Sequence, residues 1–273
     1  MTDGSDRPGP KKQFALTLDL ENDWYFDDPG YDHLTFEYIE EFIDLIERLS
    51  VPLTVFVVGT TLEDHPEAVD RLATELDAEF HLHSYRHEPT RNPFREELRR
   101  GKAAFNDHFG HDPVGYREPY GGIDPEQFPV LADEGFAFDS SVFPSYRPGV
   151  YNNLDVPLEP YVPDGVDLLE IPLGVFRGLR IPLSQNYLKL FGRPLVELLS
   201  VAPLPRTVVY NIHLQDLFRT ASHGKLPRIK RRIINRNLDE SVNILEASVE
   251  RIRSKGYEPV TLTDIHDRYR TLE

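Results

Sequence analysis

The chain has 273 residues, 40% of them hydrophobic and 28% charged, enough to bury one large core or two small ones. Its 46 acidic residues against 30 basic ones give a formal charge of −16, which works against nucleic acid and anionic membrane as partners. There is no cysteine, so disulfides and thiolate metal sites are excluded and any metal must be held by histidine and carboxylate.

No apolar run approaches membrane-spanning length, and the opening residues MTDGSDRPGPKKQ lack the apolar core of a secretory signal. Residues 1–12 therefore read as a flexible solvated tail, and the protein as cytoplasmic. Arginines outnumber lysines on this acidic background, a composition that suits a halophilic, high-salt cytoplasm and equally ordinary acidic solubility.

Residues 14–24, FALTLDLENDW, alternate: Phe14, Leu16, Leu18 and Leu20 share one face, and Ala15, Thr17, Asp19 and Glu21 the other. This is a strand whose polar face ends in two carboxylates. Thr35 then caps a helix striped by Phe36, Ile39, Phe42, Ile43, Ile46 and Leu49. A buried strand at 53–58, a helix opened by Pro66 and a strand at 79–83 follow. A helix from Pro93 to Gly110 leads to a strand at 114–117. The capping-box sequence at 124–127 starts a short helix that Gly135 ends, before a strand at 136–139. Residues 144–166, rich in Pro, Gly and Asn, form an irregular insertion placed over the site, and a strand resumes at 168–172. A helical stretch at 183–199, broken at Gly192 and Pro194, precedes a strand at 207–213. A last helix striped by Leu238, Val242, Leu245, Val249 and Ile252 ends at Gly256, and a closing strand covers 259–263. The stretch between Lys225 and Arg236 reads as a solvated connector, or as a seat for a lipid-linked or anionic glycan. The alternation predicts one α/β domain over residues 13–273 with a mostly parallel sheet.

The polar faces converge. Glu79, His81 and His83 share a face, Ala137 and Asp139 oppose Phe136 and Phe138, and Val209, Asn211 and His213 oppose Val208, Tyr210 and Ile212. Each polar set finishes at the C-terminal end of its strand, where barrel enzymes collect catalytic residues. His83 and His87, four residues apart beyond a strand end, meet at one point if the chain enters a helical turn there, a ligand geometry for a divalent cation. Two surface histidines in a loop are the alternative. Asp19 and Glu21 supply the carboxylate that a third ligand needs. Arg117 beside a carboxylate holds it ionised and directs it, as a general base requires. Arg117 with Asp139 can equally be a structural salt bridge, His213 a satisfied core histidine, and Tyr120 and Trp24 packing.

In this order the residues resemble the five motifs of the polysaccharide deacetylases of the NodB-homology type, from residue 14 to about 265. They are Leu18-Asp19-x-Glu21, His83-Ser84-x-x-His87, Arg117-x-Pro119-Tyr120, Asp139-Ser140-Ser141 and Ile212-His213. The resemblance implies a distorted (β/α)7-type barrel and a metal-dependent hydrolase that takes the acetyl group from an N-acetylated sugar or glycan. It implies a divalent ion, zinc as first choice, on Glu21, His83 and His87, with Asp19 as base and Arg117 orienting it. The backbone N–H of Tyr120 would hold the oxyanion, and His213, kept protonated by a carboxylate such as Asp139, would protonate the leaving amine. Two departures stand out. The first motif is Asp-Leu-Glu-Asn-Asp rather than adjacent aspartates, which leaves Asp23 as the other ligand candidate. The fourth lacks the usual Trp, whose wall Trp24, Phe143 or the insertion could supply. A related amide or cyclic-imide hydrolase, or a silent carbohydrate-binding barrel, are the other readings.

Overall fold

The computed structural model describes residues 11–24, 26, 30–87 and 93–272, so most of the expected N-terminal tail lies outside the described residues. In chain order the elements that position the site are β1 (Gln13–Leu20), α1 (Ile39–Leu49), β2 (Leu53–Val57), α2 (Gly59–Asp64), α3 (Pro66–Glu75) and β3 (Ala78–Leu82). Then come α4 (Phe94–Phe109), β4 (Gly115–Tyr116), α5 (Phe128–Asp133), β5 (Phe138–Asp139), the pair β6 (Tyr146–Arg147) and β7 (Tyr151–Asn152), and β8 (Leu169–Glu170). The chain continues through α6 (Gln185–Phe191), α7 (Arg193–Val201), β9 (Thr207–Ile212), α8 (Ser222–Lys225) and α9 (Arg228–Ile234). It ends with α10 (Ser241–Ser254), β10 (Glu258–Pro259) and α11 (Leu262–Leu272).

β1 is the axis of a curled parallel sheet. It pairs with β9 on one side and β2 on the other, and β3, β4, β5 and β8 follow in turn, with β10 against the start of β1. The gap between β8 and β9 is crossed by single main-chain bonds, Gly174 N–H to Val209 O at 2.8 Å and Asn211 N–H to Leu183 O at 3.4 Å, so the sheet makes a half-barrel. The alternation in β1 sets the layers. Phe14, Leu16, Leu18 and Leu20 pack outward among apolar residues of α1 and α10, while Ala15 belongs to an inner cluster with Phe56, Phe138 and Val209. Thr17 and Asp19 are buried on that same inner side of the strand.

Several expectations change here. Phe136 and Phe138 do not share a face, because β5 begins only at Phe138. The Phe136 N–H bonds Leu131 O outside the ladder, and its ring packs on Tyr116, whereas Phe138 turns inward onto His81. Gly115 makes room for it: a Cβ there would lie 2.3 Å from the Phe138 ring. Thr35 is no cap of α1. It sits in a 3-10 turn and donates its hydroxyl to Asp23. The break in the 183–199 stretch falls at Gly192, in a backbone conformation (φ 69°, ψ −150°) that favours glycine. The insertion carries the β6–β7 hairpin, and the 225–236 connector is helical in α8 and α9.

The closing strand stops at Pro259, and α11 takes over the segment where it was expected to continue. Thr261 and Asp264 exchange reciprocal side-chain-to-N–H bonds of 3.1 and 3.2 Å, a capping box, and Glu79 Oε1 accepts the N–H groups of Leu262 (2.9 Å) and Thr263 (3.1 Å). Glu79 also accepts from Thr54 Oγ1 at 2.8 Å and lies 3.2 Å from His81 Nε2. Burial alone would push its carboxyl up, but His81 and the Thr263 and Thr54 bonds outweigh this and bring it to about 2. A depressed carboxyl stabilises the fold above its unfolded pKa and loses that contribution as pH falls toward the folded value. Glu79→Gln should therefore cost about 1–3 kcal/mol in urea unfolding at pH 7 and much less at pH 3. An equal loss at both pH values would contradict this role.

Candidate functional site

The C-terminal ends of β1, β3, β4 and β9 open onto a cavity of about 450 Å³ whose floor holds Asp19, Glu21, His83, His87, Arg117 and His213. Asp19 is the penultimate residue of β1, and Glu21 follows the strand directly. His83 extends β3 by one ladder bond, its N–H to Val57 O at 2.9 Å. His87 arrives by a different route from the helical turn expected. Ser84 adopts a left-handed conformation (φ 64°), and the loop is pinned to the start of α2 by Gly59 N–H to Ser84 O and Thr60 N–H to Tyr85 O, both 3.0 Å.

The result is a compact donor set. Glu21 Oε2 lies 2.7 Å from His87 Nε2 and 3.8 Å from His83 Nε2, and one ligand atom from each of the three fits within a 4.8 Å span. His83 Nδ1 is 2.8 Å from the carbonyl oxygen of Arg117. A carbonyl only accepts, so Nδ1 carries the hydrogen and Nε2 turns its lone pair to the cavity. Gln215 Nε2 donates to Glu21 Oε1 at 3.0 Å, leaving Oε2 toward the imidazoles. Burial opposes ionisation of Glu21, yet His87 and His83 hold its carboxyl well below the usual range. Two imidazole nitrogens and a carboxylate oxygen suit a borderline divalent ion with positions left open for other ligands, so the residues fit the metal that the motifs imply. Asp23 is not part of this set. It accepts from Thr35 N–H, Thr35 Oγ1 and Ser222 Oγ, and burial raises its carboxyl despite them.

Arg117 is 2% exposed and fully engaged. Its Nη1 lies 2.7 Å from Asp19 Oδ1, 2.9 Å from Thr17 Oγ1 and 3.2 Å from Asn211 Oδ1. Nε and Nη2 bond Ser140 O and Ser140 Oγ at 2.7 and 3.0 Å, and the guanidinium lies 4.0 Å over the Phe56 ring. Asn211 Nδ2 donates to Asp19 Oδ2 at 3.0 Å. Burial pushes the Asp19 carboxyl up, but Arg117 first, then His83 and His213, bring it below its ordinary value.

His213 Nε2 is 3.6 Å from Asp19 Oδ2 and 3.7 Å from Glu21 Oε1. Its Nδ1 lies 3.0 Å from Asp216 Oδ2, and Asp216 Oδ1 is 2.9 Å from Nζ of the buried Lys189. Burial would lower the imidazole, but the Asp216 bond and the surrounding carboxylates raise it to about 9, while Lys189 and His213 hold Asp216 at about 2 against its own burial.

Asp216 thus occupies the place expected of Asp139. Asp139 pairs with Tyr116 and Glu170 across the sheet, and its carboxylate accepts from Ser141 Oγ (2.6 Å) and Ser141 N–H (3.1 Å), away from the cavity lining. Ser141 Oγ in turn accepts the Glu118 N–H at 2.7 Å, so Asp139 braces the loop that carries Arg117 and Tyr120. Tyr120 is left-handed (φ 62°), packs edge-on against His87 and donates its hydroxyl to His87 O at 3.3 Å. Trp24, Phe143, Tyr151 and Tyr187 supply aromatic walls. Gln215, Asp216 and Lys189 escaped sequence reasoning. Their only signals are a polar pair two and three residues after His213 and a lysine inside the apolar run YLKLF.

Comparison with known proteins bears on the fold and on the first half of the chain. Residues 6–138 match the family model described as polysaccharide deacetylase. A crystal structure from Mycobacterium smegmatis assigned to the polysaccharide deacetylases superposes with TM-score 0.62 at 19% identity, covering 97% of this chain and 92% of that one. One of the same assignment from Pseudomonas aeruginosa PAO1 gives 0.63 at 17%, with 97% and 93% covered, and the Puue allantoinase 0.60 at 16%, with 97% and 92%. The comparison with curated proteins returned no match. The family match thus covers residues 6–138, just under half of the chain, and the likeness to the solved structures shows that the fold they share extends over nearly all of it. The family match ends at Phe138, so Asp139 and His213 are placed by the fold rather than by the match.

Zinc titration separates the candidate ligands. Glu21→Gln should weaken binding by more than ~100-fold, and Gln215→Ala, which removes only a brace, by about 10–100-fold. Asp23→Asn should leave the affinity near wild type. The opposite ranking of Glu21 and Asp23 would move the ligand to Asp23.

Proposed function

We propose that the protein is a metal-dependent hydrolase that removes the acetyl group from an N-acetylated sugar or glycan, working in the cytoplasm. The observation that carries this reading is the separation of duties on one floor. Glu21, His83 and His87 form a donor set, while Asp19 is tied to Arg117 and His213 to Asp216.

A divalent ion, zinc by the softness of the donor set, held by Glu21, His83 and His87 would lower the pKa of water and polarise the acetyl carbonyl. Asp19 accepts the proton of the attacking water, and its two oxygens, fixed by Arg117 and Asn211, keep it ionised and aimed for that step. The Tyr120 N–H supports the negative charge that develops on the acetyl oxygen. His213 is held protonated by Asp216 and gives its proton to the departing amine nitrogen, so acetate and a free amino sugar leave. Trp24, Tyr120, Phe143 and Tyr151 offer ring faces on which a sugar can stack.

A second reading has a specific observation behind it. The fold is also similar to the Puue allantoinase, which keeps a related hydrolase of small non-sugar amides or cyclic imides in view. A silent carbohydrate-binding barrel would have no use for Asp19 and His213 with their buried partners Arg117 and Asp216. Among the described residues no helix is long and apolar enough to cross a membrane.

The two enzymes separate in one assay of the purified protein with added divalent metals, run over N-acetylated sugars, nucleotide sugars and a cyclic imide. The proposal expects acetate from an N-acetylated sugar, lost on chelation and restored by metal. Ring opening of the imide without acetate release would transfer the assignment to the second reading, and inertness toward all of them would refute both.

A further inference from the structure

We infer that the acetylated sugar carries a phosphate-class anion, as a glycosyl phosphate or diphosphate, and that Lys230 and Arg147 seat this group at the mouth of the cavity. The inference rests on the deacetylase reading and specifies its substrate class.

Charge in the cavity is unevenly answered. On the floor Asp19 is met by Arg117, Asp216 by Lys189 and Glu21 by His87. At the rim the situation is reversed. Arg147, on the β6–β7 hairpin, and Lys230, on α9, line the cavity as exposed cations that form no ion pair with a carboxylate among the described residues. The Lys230 ammonium lies 5.2 Å from the centre of the Trp24 ring, a face that leaves its charge free for a ligand.

Lys230 has like-charged neighbours. The twelve residues KLPRIKRRIINR from Lys225 to Arg236 contain six cations and no acid, in a chain whose formal charge is −16. A basic run is most often a solvated face. A solvated connector would not place Lys230, Ile233 and Ile234 on the wall of the reaction cavity, as α9 does. A neutral glycan needs no such patch. An anionic substrate does, because the rest of the acidic surface repels it and a local positive field is what draws it in. The cavity, about 450 Å³, lies toward the small end of ligand pockets of ~300–1,000 Å³, which fits a sugar unit with its phosphate better than a long polymer run.

A nucleotide-linked sugar and a polyprenyl-linked sugar share this chemistry. Ile229 and Ile233, 78% and 46% exposed one turn apart on α9, offer apolar surface that only a lipid chain would use.

The test compares acetate release from neutral di-N-acetylchitobiose, N-acetylglucosamine 1-phosphate, uridine-diphosphate-linked N-acetylglucosamine and polyprenyl-diphosphate-linked N-acetylglucosamine in detergent. Calorimetric binding of the two water-soluble phosphorylated compounds is measured beside it. At low salt the wild type should favour at least one phosphorylated substrate in kcat/KM by about tenfold or more, and the preference should shrink as salt screens it. Lys230→Gln and Arg147→Gln should each reduce the phosphorylated-to-neutral ratio several-fold, and Lys230→Gln should weaken the calorimetric binding. If Ile229→Ser with Ile233→Ser lowers only the polyprenyl arm, the source is lipid-linked; if the nucleotide arm leads and that variant changes nothing, it is nucleotide-linked. A wild type that prefers chitobiose, or a Lys230→Gln variant that lowers all substrates equally, overturns the inference. Binding through Lys230 without acetate from any compound would sink the deacetylase reading and leave the anion seat standing.

Discussion

A buried guanidinium holds this site together. Taking Arg117 out of water costs several kcal/mol even after relaxation, and the cost is met only because each of its nitrogens has a partner: Asp19, Thr17, Asn211 and Ser140. Those partners belong to β1, β9 and the segment after β5, so one side chain ties together the strand ends that form the floor. Its own carbonyl sets the tautomer of His83. The same residue thus fixes the Asp19 carboxylate with its side chain and the His83 imidazole with its backbone.

That arrangement solves a problem posed by β1. Two carboxylates two residues apart on one face repel each other, and Glu21 does raise the Asp19 carboxyl. The structure gives each a separate environment. Asp19 is saturated by a permanent cation and an amide, whereas Glu21 has one oxygen braced by Gln215 and the other beside the imidazoles. Neighbouring acids of the same kind therefore acquire different chemistry from their surroundings, a pattern common to sites that need both a base and a ligand. His213 is treated in the same way, through Asp216 and Lys189.

Much of this was legible in the sequence because it depends on strand parity. A period of two, read over Phe14 to Glu21, separates the outer apolar face from the inner polar one, and the histidine spacing and Arg117 follow at strand ends. The short strands were harder. β5 has two residues, too few for parity to hold: alternation puts Phe136 and Phe138 on one face and Asp139 toward the cavity, whereas only Phe138 turns inward and Asp139 turns away. Partners set by tertiary packing leave no local trace: Asp216 reaches His213 through a 3-10 turn, and Lys189 comes from a helix 24 residues earlier than His213 in the numbering. The start of α11 was hidden for a related reason, since half of its capping comes from Glu79 on a distant strand.

The central claim is that Arg117 makes Asp19 a proton acceptor and leaves the metal to Glu21, His83 and His87. Its most direct test is Asp19→Asn, with zinc affinity and acetate release measured on the same folded preparation, the fold being checked by thermal melting. The account predicts zinc affinity within a few-fold of wild type and turnover lower by about 10²–10⁴-fold. A folded Asp19→Asn protein that no longer binds zinc, or that binds it and turns over normally, would contradict the account.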